Sequence, residues 1–142
     1  MLHSEKKSIQ VISNIDSIRT VTDFVNKHLA LANCPAKAGK EIDIVIDEIL
    51  SNIVYYAYEK KEGPVKVSVE FSQDQKDFKI IFEDQGIPYN PLEREDPNIS
   101  LELQEREVGG LGVFLIKKMM DDVSYSYQEN TNRLTVTKRI HE

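Results

Sequence analysis

Apolar residues recur at helical spacing in two stretches of the first part of the chain. The first stretch follows Asp16, a residue type favoured at helix N-caps, and ends near Pro35. The second covers residues 42–57 and stops at the charged and Gly-Pro segment 60–64, which predicts a longer helix. Residues 8–12 alternate between polar and apolar ahead of both helices, so they predict a short strand.

The spacing of apolar residues then changes from helical to alternating. Residues 65–71 and 78–83 alternate on either side of a polar turn, which predicts two antiparallel strands with one apolar face. Residues 111–120 predict a third helix, and a hairpin around residues 129–132 closes the chain. Because an apolar sheet face needs a cover, we predict one α+β domain over residues 1–142. This domain is a two-layer sandwich whose mostly antiparallel mixed sheet is covered on one face by three helices.

Composition and charge narrow the class of protein. The 142 residues carry 18 Lys and Arg against 24 Asp and Glu, a net charge of −6, which disfavours binding to nucleic-acid phosphates. The single cysteine, Cys34, cannot form an intrachain disulfide, and no apolar run approaches the roughly 20 residues of a membrane span. We therefore expect a cytoplasmic domain that binds neither nucleic acid nor membrane.

Two residues of the second predicted helix could carry chemistry. Glu48 and Asn52 are four residues apart, so they lie on one face of that helix. A carboxylate can orient or deprotonate a nucleophile, and an amide oxygen is a neutral ligand for a hard cation. The same spacing is common on solvated helix faces, so the pair alone does not distinguish a site from a surface.

A second candidate segment, Asp84-Gln85-Gly86-Ile87-Pro88, follows a predicted strand. A carboxylate at a strand end can accept a hydrogen bond from an exocyclic amine. The absent side chain of Gly86 would let a flat ring approach the backbone. The same residue types also form ordinary turns.

A third segment, Gly109-Gly110-Leu111-Gly112, opens the last predicted helix. Glycines at a helix start expose backbone N–H groups, and a helix N-terminus favours anions, so phosphate binding is plausible. The alternative is that these glycines only make the start of the helix flexible. The chain has no G-x-x-x-x-G-K-[ST] loop and no H-R-D or D-F-G motif, which excludes a P-loop enzyme and a eukaryotic-type kinase.

In this order and spacing, the three segments resemble the Bergerat-type nucleotide-binding fold of the GHKL ATPases. Within that family the sequence is most similar to the bacterial anti-sigma-factor serine kinases. The resemblance covers nearly the whole chain and is carried by residues 47–52, 84–92 and 106–121.

The resemblance implies an ATP site with Mg²⁺ as a second cofactor. Glu48 would be the general base, Asn52 the Mg²⁺ ligand and Asp84 the acceptor for the adenine amino group. Arg106 would contact the β- and γ-phosphates, although a solvated arginine is an equal alternative. The cofactor-binding set would be completed by Gly86, Pro88, Gly109, Gly110, Leu111 and Gly112. Many relatives carry a His four residues after the magnesium Asn, where this chain has Tyr56, so no role of that His carries over.

The resemblance also implies that residues 89–108 form a lid over ATP. This segment holds six acidic residues against two basic ones and so contributes −4 of the net charge of −6. We therefore expect the lid to need a divalent cation before it can close over ATP. The implied partners are a STAS-type anti-anti-sigma protein, which is phosphorylated on serine, and a sigma factor, which is sequestered. A homodimer is a further expectation, and the alternative function is a non-catalytic, nucleotide-gated binding regulator on the same fold.

Overall fold

The computed structural model describes residues 5–59, 61–90, 92 and 110–142. The helices in these ranges are α1 (Ile15–Leu31), α2 (Ala36–Asn52), a π-helical turn (Ile53–Ala57) that continues α2, and α3 (Gly110–Met119). None of them is long and apolar enough to cross a membrane. The three predicted helices are therefore confirmed, and the second one ends in a π-helical turn.

Five strands form a single sheet in the order β1-β2-β3-β5-β4. They are β1 (Lys7–Ile12), β2 (Pro64–Phe71), β3 (Asp77–Asp84), β4 (Asp122–Gln128) and β5 (Thr131–Arg139). Every pairing among these strands is antiparallel, so the predicted antiparallel character is confirmed and no parallel pair is described. The strands β1, β3 and β4 run in one direction, and β2 and β5, which separate them in the sheet, run in the other.

The sheet is covered on one face by the helices, as the apolar alternation predicted. Fully buried side chains of β2 and β3 meet those of α1 and α2 in one core. The largest of them are Phe78, Phe82, Ile42, Ile46 and Ile80. This burial of apolar area is the main stabilising contribution to the two-layer arrangement.

Helix α1 begins earlier than the sequence predicted. Its N-cap is Asn14, whose side-chain oxygen accepts a hydrogen bond from the backbone N–H of Ser17 at 3.0 Å. Asp16 lies inside the first turn, so its assignment as the N-cap was wrong. Both residue types cap helices well, and the position is decided by β1, which ends at Ile12 and leaves only two residues for the connection.

The strand register places the end of β3 in the middle of the sheet. Asp84, the last residue of β3, pairs with Val65 on β2 and with Asn132 on β5. The loop that follows Asp84 is held against α2, because the backbone N–H of Ile87 donates to the carbonyl oxygen of Ala57 at 2.8 Å. The second candidate segment therefore lies directly beside the end of the helix that carries the first.

Candidate functional site

A cleft of about 520 Å³, counting the part open to solvent, lies between α2, the π-helical turn and the ends of β3 and β5. Asn52, Asp84 and Asn132 are the amide and carboxylate side chains among the described residues that line it. The rest of the lining is apolar or aromatic: Ile49, Ile53, Tyr56, Ala57, Phe82, Ile87, Tyr89, Ile116, Tyr125 and Leu134. A concave, largely apolar pocket with a few converging polar groups is the usual form of a small-molecule site.

Asp84 is 7% exposed at the floor of this cleft. Its Oδ1 accepts hydrogen bonds from the backbone N–H of Gly86 at 2.9 Å and from Nδ2 of Asn132 at 3.0 Å. Among the described residues no donor reaches its Oδ2. Burial raises the pKa of Asp84, and the hydrogen bonds from Gly86 and Asn132 act against this rise. The carboxylate therefore has one oxygen held by the protein and one without a hydrogen-bond donor among the described residues.

Asn132 is the partner of Asp84 that the sequence did not identify. It is 6% exposed, and its Nδ2 also donates to the carbonyl oxygen of Ile87 at 2.8 Å. Its Oδ1 accepts from the backbone N–H of Tyr89 at 3.2 Å and from the hydroxyl of Tyr125. Asn132 thus joins three parts of the site: the end of β3, the loop after it, and β4.

A signal for Asn132 does exist in the sequence. The hairpin prediction placed residues 129–132 in a turn, whereas the turn residues are Glu129 and Asn130, both with positive φ, and β5 begins at Thr131. Asn132 then shares a strand face with the buried Leu134 and Val136. A polar residue at a core-facing strand position marks a buried hydrogen-bond network.

Asn52 lies on α2 and lines the same cleft. It is 9% exposed, and its side chain makes no hydrogen bond with any described residue. A buried amide that lacks a partner costs about 1–3 kcal/mol of stability, so such groups are rare in native proteins. Among the described residues, the Asn52 side chain thus has no hydrogen-bonding partner, although it lines the cleft.

Glu48 lies one turn before Asn52 on α2 and is not among the residues that line the cleft. It is half-buried, and among the described residues it forms no ion pair or hydrogen bond. Burial raises the pKa of Glu48, and the neighbouring charge of Asp47 raises it further. A carboxylate with a raised pKa is a stronger base, which fits the role that the sequence predicted.

The structure explains the glycine at position 86 differently from the sequence prediction. A Cβ at this position would lie 2.0 Å from the carbonyl oxygen of Ala57, so the loop can pack on the π-helical turn only with glycine here. Pro88 is exposed and does not line the cleft. Direct contacts of Gly86 and Pro88 with a ligand stay predictions.

Two tyrosines in and directly after the π-helical turn also contribute to the site. Tyr56 lines the cleft, and its ring centroid lies 6.5 Å from that of Tyr89. The hydroxyl of Tyr58 accepts from the backbone N–H of Gln85 at 2.8 Å and donates to the carbonyl oxygen of Pro64 at 2.6 Å. Tyr58 therefore fastens the start of the loop after Asp84 to β2.

The third predicted segment is only partly described. Helix α3 begins at Gly110, so Gly110, Leu111 and Gly112 form its first turn and the predicted helix start is confirmed. Further along α3, Ile116 lines the cleft. Arg106 and Gly109 lie outside the described residues, as does most of the predicted lid, 89–108. Their roles stay predictions.

The donor set of the cleft agrees with a cation carried by a ligand rather than by the protein alone. Within the described ranges, no cluster of three or more His, Cys, Asp or Glu side chains could hold a metal ion. Asn52 offers one neutral oxygen, which suits Mg²⁺ when phosphate and water supply its other ligands. The residues present therefore fit a nucleotide-bound Mg²⁺.

The antiparallel sheet, its single helical layer and the cleft beside α2 define an α+β domain with a candidate ligand site at the end of its central strand. The chain belongs to the histidine kinase-like ATPase domain family, whose model matches residues 11–138. This membership confirms the resemblance to GHKL ATPases on which the sequence prediction depended.

Relatives in this family are named as serine-protein kinases. The chain is 27% identical over 121 residues to the serine/threonine-protein kinase BtrW of Bordetella bronchiseptica, covering 83% of this chain and 84% of BtrW. It is 30% identical over 127 residues to the serine-protein kinase RsbW of Staphylococcus aureus, covering 79% of this chain and 76% of RsbW.

Solved structures show the same fold. The RsbU and RsbW domains of a Mycobacterium tuberculosis protein match with a TM-score of 0.67 and 17% identity, over 96% of this chain and 32% of that one. The present chain thus spans about a third of that longer protein. The SiaB–SiaC complex of Pseudomonas aeruginosa matches with a TM-score of 0.64 and 17% identity, over 92% of this chain and 88% of the matched chain.

Proposed function

We propose that this protein is an ATP-dependent serine-protein kinase that phosphorylates a STAS-type anti-anti-sigma protein and sequesters a sigma factor. It would act in the cytoplasm with Mg²⁺·ATP as its phosphoryl donor, and as a homodimer. Family membership and the names of its relatives support the kinase class. The partners are inferred from the resemblance to anti-sigma-factor kinases.

One observation carries the proposal: the buried amide of Asn52 has no partner among the described residues, and it lines the same cleft as the buried carboxylate of Asp84, of which one oxygen has no described donor. Oδ2 of Asp84 can accept a hydrogen bond from a donor, and the amide of Asn52 can pair with a ligand or donate its oxygen to a cation. An adenine nucleotide that carries Mg²⁺ supplies both, because its amino group is a donor and its metal accepts an amide oxygen as ligand. The apolar walls of the cleft suit a flat adenine ring between them.

The proposed reaction uses Glu48 as the base. The serine oxygen forms a bond to the γ-phosphorus, the bond from that phosphorus to the β–γ bridging oxygen breaks, and ADP leaves. The serine proton passes to Glu48, whose raised pKa favours its uptake. Phosphoryl transfer needs little covalent help from a protein, so binding and orientation account for most of the catalysis.

Several groups of this chain would bind the triphosphate. Asn52 would hold Mg²⁺, which supplies charge neutralisation on the phosphate oxygens. The N-terminal turn of α3, with Gly110 and Gly112, would receive phosphate through its free N–H groups. Since no Lys or Arg is among the described residues that line the cleft, Arg106 is the proposed cationic contact.

Transfer of labelled phosphate from ATP to candidate STAS proteins tests the proposal. With Mg²⁺, the wild-type protein should label one serine. Glu48→Gln should reduce the transfer rate by roughly 10²- to 10⁴-fold while ATP affinity stays within about twofold, because a base acts in the transfer step and not in binding. Asp47→Asn is the matched control, since it removes the same charge from an exposed neighbouring residue on α2 and should retain the maximal rate.

Two results would overturn the kinase proposal in different ways. If no STAS protein is labelled and Glu48→Gln equals wild type in every assay, the kinase assignment fails. If partner binding needs ATP, survives Glu48→Gln and is lost in Asn52→Ala and Asp84→Ala, the protein is the non-catalytic, nucleotide-gated regulator.

A further inference from the structure

The orientation of the Asn132 side chain follows from its backbone partners. The N–H of Tyr89 can only donate, so the atom that faces it at 3.2 Å must be the amide oxygen. The carbonyl of Ile87 can only accept, so the atom that faces it at 2.8 Å must be the amide nitrogen. The same nitrogen faces Asp84 at 3.0 Å, which means that Asn132 donates to the carboxylate.

The hydrogen-bonding capacity of Asn132 is used completely within the protein. Its two N–H groups go to Asp84 and Ile87, with a longer contact of 3.4 Å to the carbonyl oxygen of Gly86. Its oxygen accepts from Tyr89 and Tyr125, which occupies both lone pairs. Asn132 therefore has no capacity left for a ligand, although it lines the cleft.

We propose that Asn132 is a positioning residue for nucleotide binding: it fixes Oδ1 of Asp84, so that Oδ2 is the oxygen that points to the ligand, and it ties the loop after β3 to β5. The proposal rests on the proposed function, in which Asp84 accepts from the adenine amino group. Nothing in the three sequence segments indicated this role, because Asn132 lies 48 residues from Asp84 along the chain.

Asn132 also acts on the charge of Asp84. Burial favours the neutral carboxyl, and donation from Gly86 and Asn132 lowers the pKa back toward its ordinary value. The phenols of Tyr56, Tyr89 and Tyr125 line the cleft with Asp84, and the charged groups of Lys66 and Glu83 line a neighbouring pocket with it. The pKa of Tyr58 is raised by burial and, to a lesser degree, by Asp84. Without Asn132, Asp84 would protonate at a higher pH and lose acceptor strength.

Asn132→Leu tests the proposal, because it removes the amide and keeps a branched side chain. We expect its affinity for Mg²⁺·ATP to fall about 10- to 100-fold at neutral pH, measured by titration calorimetry. We also expect a higher pKa of the Asp84 carboxyl in the nucleotide-free protein, measured by ¹³C NMR. The loss of affinity on acidification should then begin at a higher pH than in wild type.

A matched control is available at the interface of α1 and α2. Asn26 donates from Nδ2 to Oδ1 of Asp43 at 3.0 Å, the same pair of groups at the same distance as Asn132 and Asp84, but away from the cleft. Asn26→Leu should leave ATP affinity and the pKa of Asp84 unchanged.

Tyr125→Phe, which removes one donor to Asn132 and keeps the ring, should weaken ATP binding about 3- to 10-fold. This variant tests the proposal if Asn132→Leu does not fold.

The outcomes separate this inference from the proposed function. If wild type binds ATP and both variants match it in affinity and in the pKa of Asp84, the positioning role is wrong and the proposed function stands. If wild type does not bind ATP, the proposed function fails, and the NMR comparison still determines whether Asn132 controls Asp84.

Discussion

At the β5 side of the cleft every polar atom of Asn132 has a partner, whereas on α2 the buried side chain of Asn52 has none among the described residues. Asp84 is intermediate: its Oδ1 accepts two hydrogen bonds, whereas no described donor reaches its Oδ2. Glu48, also on α2, is likewise without a described partner. Among the described cleft residues, Asn132 is therefore fully bonded before a ligand arrives, and Asn52 is not.

This difference indicates what each side of the cleft would contribute to ligand binding. A bonded network holds its groups in one geometry, so a ligand that fits it loses little free energy in ordering the protein. An unpartnered buried amide destabilises the free protein, and the ligand removes that cost when it binds. Under the proposed function, the adenine would bind against the bonded network around Asn132, and Asn52 would gain its partner when Mg²⁺·ATP binds.

The largest effect is expected from a change that breaks the rigid side. Gly86→Ala would place a Cβ 2.0 Å from the backbone oxygen of Ala57, which no side-chain movement can relieve. We expect a loss of about 3 kcal/mol of unfolding free energy, measured by urea denaturation. Gly39→Ala on α2, where nothing lies within 4 Å of the new Cβ, should instead gain about 0.5–1 kcal/mol. Equal stabilities of the two variants would contradict the packing described for Gly86.

Asp84→Asn separates binding from stability at the floor of the cleft. ATP affinity should fall about 100-fold. An amide has one acceptor oxygen, which is weaker than a carboxylate oxygen and cannot replace both carboxylate oxygens in binding Asn132 and the adenine amino group. The pKa of Asp84 is raised by folding, so the ionised group destabilises the protein above that pKa. The variant should therefore melt at a higher temperature at pH 7, and this advantage should disappear below the unfolded pKa of about 4. A lower melting temperature at pH 7 would show that Asp84 stabilises the fold.

Two matched substitutions test the difference in hydrogen bonding between Asn132 and Asn52. Asn132→Leu should lose about 2 kcal/mol of unfolding free energy in the absence of ligand, because it leaves several buried groups without partners. Asn52→Leu should lose nothing, or gain up to about 1 kcal/mol, because it removes an amide that had no described partner. Chemical denaturation of both variants without nucleotide is the measurement. Equal losses would mean that the two sides of the cleft are equally bonded.

The smallest expected effect is a shift in the pH dependence of the phosphoryl-transfer rate, for which Glu48 is the proposed base. Asp47 helps to raise the pKa of Glu48, so Asp47→Asn should shift the acid limb of the transfer rate to lower pH. Asp43→Asn is the control, since Asp43 is on the same helix and does not perturb Glu48. If the two pH profiles coincide, the acid limb reports a group other than Glu48.

The elements of the fold could be predicted because their apolar spacing is regular over many residues. The alternation of Val65, Val67 and Val69 and the helical repeat of α2 leave few choices for what faces the core. The N-cap of α1 could not be predicted with the same ease. Asn14 and Asp16 cap equally well, and only the exact end of β1 decides between them.

The candidate site could be predicted only where its residues lie close in sequence. Asn52 and Asp84 belong to short segments with a recognisable order, and the structure brings them to one cleft. Asn132 reaches Asp84 through the pairing of β3 with β5, a contact that no local pattern encodes. The neighbour of Gly86 was missed for the same reason, since Ala57 is brought to it by tertiary packing.

The π-helical turn Ile53–Ala57 also has a consequence for changes of chain length. Its last carbonyl, that of Ala57, accepts from Ile87 and faces Gly86, while Asn52 precedes its first residue. Deleting one residue between Asn52 and Ala57 would change the position of the Ala57 carbonyl relative to Asn52, because the wider π-helical turn includes that residue. The count of residues in this turn is therefore fixed by the site, and insertions and deletions should be selected against here while surface loops elsewhere tolerate them.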